Sequence, residues 1–173
     1  MIIGHIPAGY ISSKLLLPRL AGWSGRARTF LCAGVLGAIA PDLDIIYYSF
    51  VDHRLHHHHT YITHFPILWG TLLVASVVWL GFGRTGRSGA ALATIFSFNG
   101  FVHLLLDSIV GRIWWLAPFV DRPFSLFTVH GTYKPWWLNF MLHWSFALEI
   151  ALLIWAAWLW RGGAATAART DMR

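Results

Sequence analysis

The sequence predicts an all-α integral membrane protein, a helical bundle of four to five transmembrane helices, and three observations point that way. Of the 173 residues, 57% are hydrophobic and only 12% are charged, against about 25% charged in an average soluble domain. The apolar residues gather in windows of the length a bilayer requires, roughly 20 residues at a helical rise of about 1.5 Å. The basic residues are scattered singly between those windows, a pattern that sets membrane topology. The net charge of +6 therefore implies no nucleic-acid partner; membrane lipids are the expected surroundings.

The windows come in order along the chain. Residues 2–17 hold Pro7, Ser12, Ser13 and Lys14, so this stretch reads either as a fifth crossing or as a tilted, partly inserted helix. Stronger windows follow at residues 30–50, 65–82, 90–110 and 140–160. A Gly- and Arg-rich segment, a histidine-rich link, a Gly-rich turn at 83–89 and a long connection at 111–139 join them. Residues 1–160 read as one membrane-embedded domain, and residues 161–173, small and polar, as a disordered cytoplasmic tail. Cys32 has no cysteine partner and reads as a small buried apolar residue. No secretory signal pattern opens the chain.

Orientation follows from the cations. Lys14, Arg19, Arg26 and Arg28 precede the first strong window, Arg84 and Arg87 join the second to the third, and Arg161, Arg169 and Arg173 follow the last. All three groups belong on the cytoplasmic side of the inner membrane in a multi-pass topology. The histidine-rich link, the Asp107 end of the third window and the His143 end of the fourth then share the opposite face. His5 joins them if the opening stretch crosses.

Ionisable residues at these positions are costly unless they have a task. His103 and Asp107 stand four apart, on one face of a helix, where an imidazole and a carboxylate can grip one cation. Ala40-Pro41-Asp42-Leu43-Asp44 places two acids one residue apart in an apolar stretch; metal binding and a capping turn are the two readings. The run His56 to His59, with His64 beyond it, offers one or two specific ligands. His130 reads as a surface residue, His143 as either ligand or surface residue, and Glu149 as a group paired inside the bundle.

A mixed His and carboxylate shell suits zinc, or manganese or iron if more oxygen ligands join. The expected central ligands are Asp44, His64, His103 and Asp107, with His59 and His5 as ligands of a second site. Asp42 is expected as ligand or general base, so that Asp42, Asp44 and His64 make up the catalytic set. A site at headgroup depth on the outer face would meet phospholipids or polyprenyl phosphates. A non-catalytic scaffold or regulator with a structural metal is the first alternative. A metal transporter is the second, and only Ser97, Asn99 and Glu149 offer it obvious polar groups within the spans.

Taken together, Gly4-His5, Ala40-Pro41-Asp42-Leu43-Asp44, His59-Thr60-Tyr61-Ile62-Thr63-His64, His103-Leu104-Leu105-Leu106-Asp107-Ser108, Gly111 and the stretch from Leu116-Ala117-Pro118-Phe119 to Arg122-Pro123-Phe124-Ser125-Leu126 resemble the YdjM-type family of LexA-binding inner-membrane metal-dependent hydrolases. That family is distantly similar to zinc phospholipase C and related nuclease folds, all-helical proteins with the same His-x-x-x-Asp helix motif. The resemblance implies a metal-dependent hydrolysis of a phosphoester. One position departs: Thr60 stands where the family usually has Arg, which removes a cation able to hold a phosphate or an aspartate.

Overall fold

The structure, a computed structural model, describes residues 3–24, 26–83 and 85–171, without the side chains of residues 21–24 and 163–171. Arg84 and Arg173, used above for orientation, lie outside the described residues. Regular structure among them is helical: α1 (His5–Ser24), α2 (Ala27–Ile39), α3 (Asp44–Phe50), α4 (Pro66–Phe82), α5 (Arg87–Asp107), α6 (Trp137–Met141) and α7 (Ser145–Asp171), with single 3-10 turns at Pro41–Leu43, His58–Thr60 and Ile62–His64. One isolated antiparallel bridge joins Ile113 to Phe124.

Two of these helices, α5 and the Ser145–Gly162 part of α7, are long and apolar enough to cross a bilayer. A third crossing exists if α2 and the segment Pro41–Phe50, bent by 55° at their junction, count as one broken span. Two or three candidate spans thus stand where the sequence predicts four to five. Proline accounts for much of the difference. Pro41 has no N–H to continue the ladder of α2 and opens a 3-10 turn, which breaks the expected 30–50 helix. Pro66 takes the first position of α4, leaving that apolar helix 17 residues long. The backbone of α7 stays helical to Asp171, through most of the segment expected to be a polar tail.

Helix α5 is the hub, packed against α1, α2 and α4, while α7 leans on α1. Ala90, Ala91, Ile95 and Leu104 of α5 are fully buried. Without a strong hydrophobic drive in lipid, helices associate through close packing of small residues and interhelical hydrogen bonds, and both are present. A Cβ built on Gly37 would stand 2.1 Å from the Phe96 carbonyl oxygen, so α2 can touch the backbone of α5 only with glycine there. Gly100 likewise makes room for the ring of Trp69, which a Cβ would meet at 2.0 Å. The inward face of α2 is Phe30, Gly34, Gly37 and Ala38; Cys32 is exposed, contrary to expectation, because it lies off that face.

The polar groups noted within the spans serve as ties between helices. Asn99, fully buried, donates to the Ser13 hydroxyl at 3.2 Å and the Ile95 carbonyl at 3.0 Å and accepts from Ser12, joining α5 to α1. The Ser76 and Ser97 hydroxyls meet at 3.1 Å between α4 and α5. The Gly37 contact allows a direct test. Gly37→Val forces α2 off the α5 backbone and should lower stability by about 1–3 kcal/mol, read as a fall in the thermal midpoint in detergent. Gly81→Ala, at a position with open space around it, should hold or raise that midpoint.

Candidate metal centre

The helices bring one set of ends together. His5 opens α1, Asp42 sits in the 3-10 turn after α2, His64 ends the turn before α4, and His103 and Asp107 occupy the last turn of α5. Asp42, His64, His103 and Asp107 each present one ligand atom, and these four atoms lie within 4.8 Å of one another. His103 Nε2 is 3.1 Å from Asp107 Oδ2 and 3.6 Å from Asp42 Oδ1. His64 Nε2 is 3.7 Å from Asp42 Oδ1 and 3.8 Å from Asp107 Oδ2. The side chains of His64, His103 and Asp107 are buried, while Asp42 is 32% exposed, at the mouth of the cluster.

Each imidazole is oriented through its other nitrogen. His103 Nδ1 lies 2.7 Å from the Ala38 carbonyl, His59 Nδ1 3.0 Å from the Arg112 carbonyl and His64 Nδ1 2.6 Å from Asp44 Oδ2. A carbonyl oxygen can only accept, so Nδ1 of His103 and of His59 donates to it and Nε2 is turned toward the carboxylates. The Nε2 atoms of His64 and His103 are buried and make no hydrogen bond. An orphaned imidazole nitrogen beside a carboxylate oxygen is what a metal ligand looks like before loading, and a set of two imidazoles and two carboxylates fits a divalent ion.

Asp44, expected as a central ligand, stands behind His64. Its Oδ2 accepts from His64 and from the Thr63 hydroxyl at 2.6 Å, so it acts through the ring. The local fold explains this: Asp42 falls in the turn begun by Pro41, whereas Asp44 is the first residue of α3 and faces the turn 62–64. That turn is held from below by Trp69, whose indole donates to the Thr63 carbonyl at 2.7 Å.

Around the four-atom cluster the other expected residues divide. His5 Nε2 is 3.1 Å from Asp107 Oδ1, and its ring stacks on His103 with centroids 3.7 Å apart. Glu149 of α7 holds it there by accepting the Ile3 and Gly4 amides at 2.5 and 2.9 Å, a carboxylate at a helix N-terminus. His59 Nε2 is 3.5 Å from Asp107 Oδ2 and also forms a second possible ligand group with His58 and His64. Burial pushes His58 down to about 4 and His59 down to about 2, so both are neutral imidazoles at pH 7. Burial opposes charge on His64 too, but Asp42 and Asp44 on either side of the ring outweigh it and raise His64 to about 9. Ligation at His64 would therefore release a proton.

The remaining histidines stay outside. His56 pairs with Asp52 at 2.7 Å on the exposed loop, His53 and His130 are exposed, and His143 Nδ1 lies 2.9 Å from the Ser145 hydroxyl at the head of α7. The Thr60 hydroxyl donates to the His57 carbonyl, and Thr60 lines a separate small groove with Phe65, Trp114 and Asp121.

Above the cluster lies a groove of about 510 Å³. Its lining combines the polar residues Asp42, Asp107, His57 to His59 and Arg112 with the apolar Ile45, Val110, Val129, Trp136 and Phe140. The sequence reading missed Arg112 and the orienting carbonyls. A carbonyl has no sequence signal, and Arg112 looks like any loop cation until the connection after α5 is folded. The arrangement can hold a divalent cation and present it to a partly apolar molecule.

No curated protein and no solved structure gives a significant match to this chain. A family model described as YdjM inner membrane protein matches residues 1–168, nearly the whole length. The matched segment contains every residue of the cluster, and the chain belongs to the YdjM inner membrane protein family.

Proposed function

We propose that this chain is a membrane-bound metal-dependent hydrolase that cleaves a phosphoester of a lipid or lipid-linked substrate at the non-cytoplasmic face. The observation that carries the reading is the convergence of Asp42, His64, His103 and Asp107 beneath an open, half-apolar groove. A structural metal needs a closed shell, whereas a ligand set with an open side suits catalysis. In this reading His64, His103 and Asp107 hold the ion, zinc being the best fit to the donors, and His59 and His58 form the candidate second position. Held there, such an ion would supply Lewis acidity and would lower the pKa of water toward about 7.

The chain's own residues have distinct tasks. Asp44 and the Ala38 and Arg112 carbonyls keep three imidazoles in one tautomer and aim them inward. Asp42, partly exposed at the mouth, is placed to accept a proton from an attacking water. The apolar wall shields the bond to be cleaved and receives the non-polar part of the substrate. Helices α1, α4, α5 and α7 and the broken α2–α3 pair supply up to five crossings in a multi-pass inner-membrane topology. All the cluster residues then lie at one bilayer face, with headgroups as their neighbours.

Three outcomes test the proposal. Elemental mass spectrometry on detergent-purified protein should find equimolar zinc or manganese that is lost in His103→Ala, Asp107→Ala and kept when His53 and His56 are both replaced by Ala. Absence of metal from the native chain, or metal that follows the exposed histidines, would favour a scaffold. Asp44→Ala should weaken metal affinity roughly 10- to 100-fold, as loss of a group orienting a ligand histidine does, measured by competition with a chelating dye. For topology, a reporter active only outside the cytoplasm should be active when fused at His130 and inactive at Ser88; the reverse pattern would place the site on the cytoplasmic face.

A further inference from the structure

We propose that Arg112 is the substrate anchor of the groove, receiving the anionic headgroup of an amphiphile whose apolar part lies against Ile45, Val110, Trp136 and Phe140. The inference rests on the hydrolase reading for the identity of that anion, a phosphoryl group.

Four observations converge on Arg112. It is the one Lys or Arg among the described residues that line the groove. The other charged groups there, Asp42 and Asp107, are acidic, so Arg112 is the side chain of the lining that attracts an anion. Although exposed, Arg112 makes no ion pair among the described residues, and its charge is available to a ligand.

Its backbone is also fixed relative to the cluster. The Arg112 carbonyl accepts from His59 Nδ1 at 3.0 Å. Next to it, fully buried Ile113 is bridged to Phe124 by two backbone hydrogen bonds of 3.0 and 2.9 Å. On the other side Gly111 allows the His59 ring to approach, since a Cβ there would meet its Cε1 at 2.9 Å. A side chain rooted in this way starts from one place, which limits the entropy lost when it grips a ligand.

Finally, the neighbouring polar groups suit the same ligand. Ser125 and Thr128 line the groove and carry hydroxyl donors, while the planar guanidinium matches a phosphoryl group in bidentate fashion. Position 60, where a cation would be sought from the sequence, lines the other groove and leaves this role to Arg112.

The test uses zinc-loaded full-length protein in detergent micelles: native, Arg112→Gln and Arg112→Lys, each with its zinc content measured. Titration calorimetry follows binding of inorganic phosphate and of monomeric dihexanoyl phosphatidic acid. Arg112→Gln should keep its zinc, because the carbonyl that orients His59 is untouched, yet bind both ligands roughly 10- to 100-fold more weakly, as loss of a charged hydrogen bond predicts. Arg112→Lys should recover part of the loss, a rescue that a merely structural role would not show. The native protein should prefer the lipid phosphate to the free ion; equal affinities would overturn the amphiphile part of the proposal.

Unchanged phosphate affinity in Arg112→Gln with zinc intact, or no binding of either ligand by the native protein, would overturn the anchor while leaving the metal centre standing. Native protein that takes up neither zinc nor manganese would instead sink the hydrolase reading. The same titrations on metal-free protein then decide Arg112 alone, a loss in Arg112→Gln supporting it and no difference overturning it.

Discussion

Asp107 is a carboxylate buried to 2% exposure at the C-terminal end of the central helix. Both circumstances are unfavourable, since burial strips its hydration and the helix dipole is negative at that end. Such a group persists only if partners surround it. His5, His59 and His103 supply Nε2 atoms at 3.1, 3.5 and 3.1 Å, each from a different part of the chain. Much of the upper half of the molecule follows from that demand. The start of α1, the turn 58–60 and the end of α5 must meet at one point, and the loop after α5 must curl back to support His59.

The sequence shows this centre where the signal is local. Four-residue spacing on a helix puts His103 and Asp107 together whatever surrounds them, and the charge rule sends the expected ligands to one face. The two acids after Pro41 are legible as a pair, but not their division of labour, which depends on the turn that separates Asp42 from Asp44. Long-range partners were not legible. Nothing in a window of apolar residues says that the Ala38 carbonyl will meet His103, or that the Glu149 carboxylate will cap a helix 145 residues earlier in the chain. The helical class follows from composition and periodicity. The number of spans does not, because Pro41 turns one apolar window into two helices at 55° and hydropathy averages over the break.

The same proline also opens the site. An unbroken helix through residues 30–50 would carry Asp42 and Asp44 on its flank, at different heights and angles. The helix α2 stops at Ile39 and the chain bends by 55°, so Asp42 comes within 3.7 Å of His64 and 3.6 Å of His103 while Ile45 of α3 lines the groove. A site beside a bent helix is open on one side yet rests on a tightly packed base. Hydrogen bonds such as Asn99 to Ser13 and glycine contacts such as Gly37 to Phe96 tie that base together, and the helix ends and turns above it carry the candidate ligands.

The pairing of Glu149 with the amides of Ile3 and Gly4 ties the first helix to the last. During synthesis, chains fold largely from the N-terminus onward, so His5 emerges long before the carboxylate that fixes its position. Until α7 arrives, the start of α1 lacks this anchor, and the cluster can be assembled only in part, from the helices already made. Completion of the centre is thereby coupled to completion of the bundle: a chain interrupted before its last helix lacks the Glu149 contact at the start of α1, beside His5.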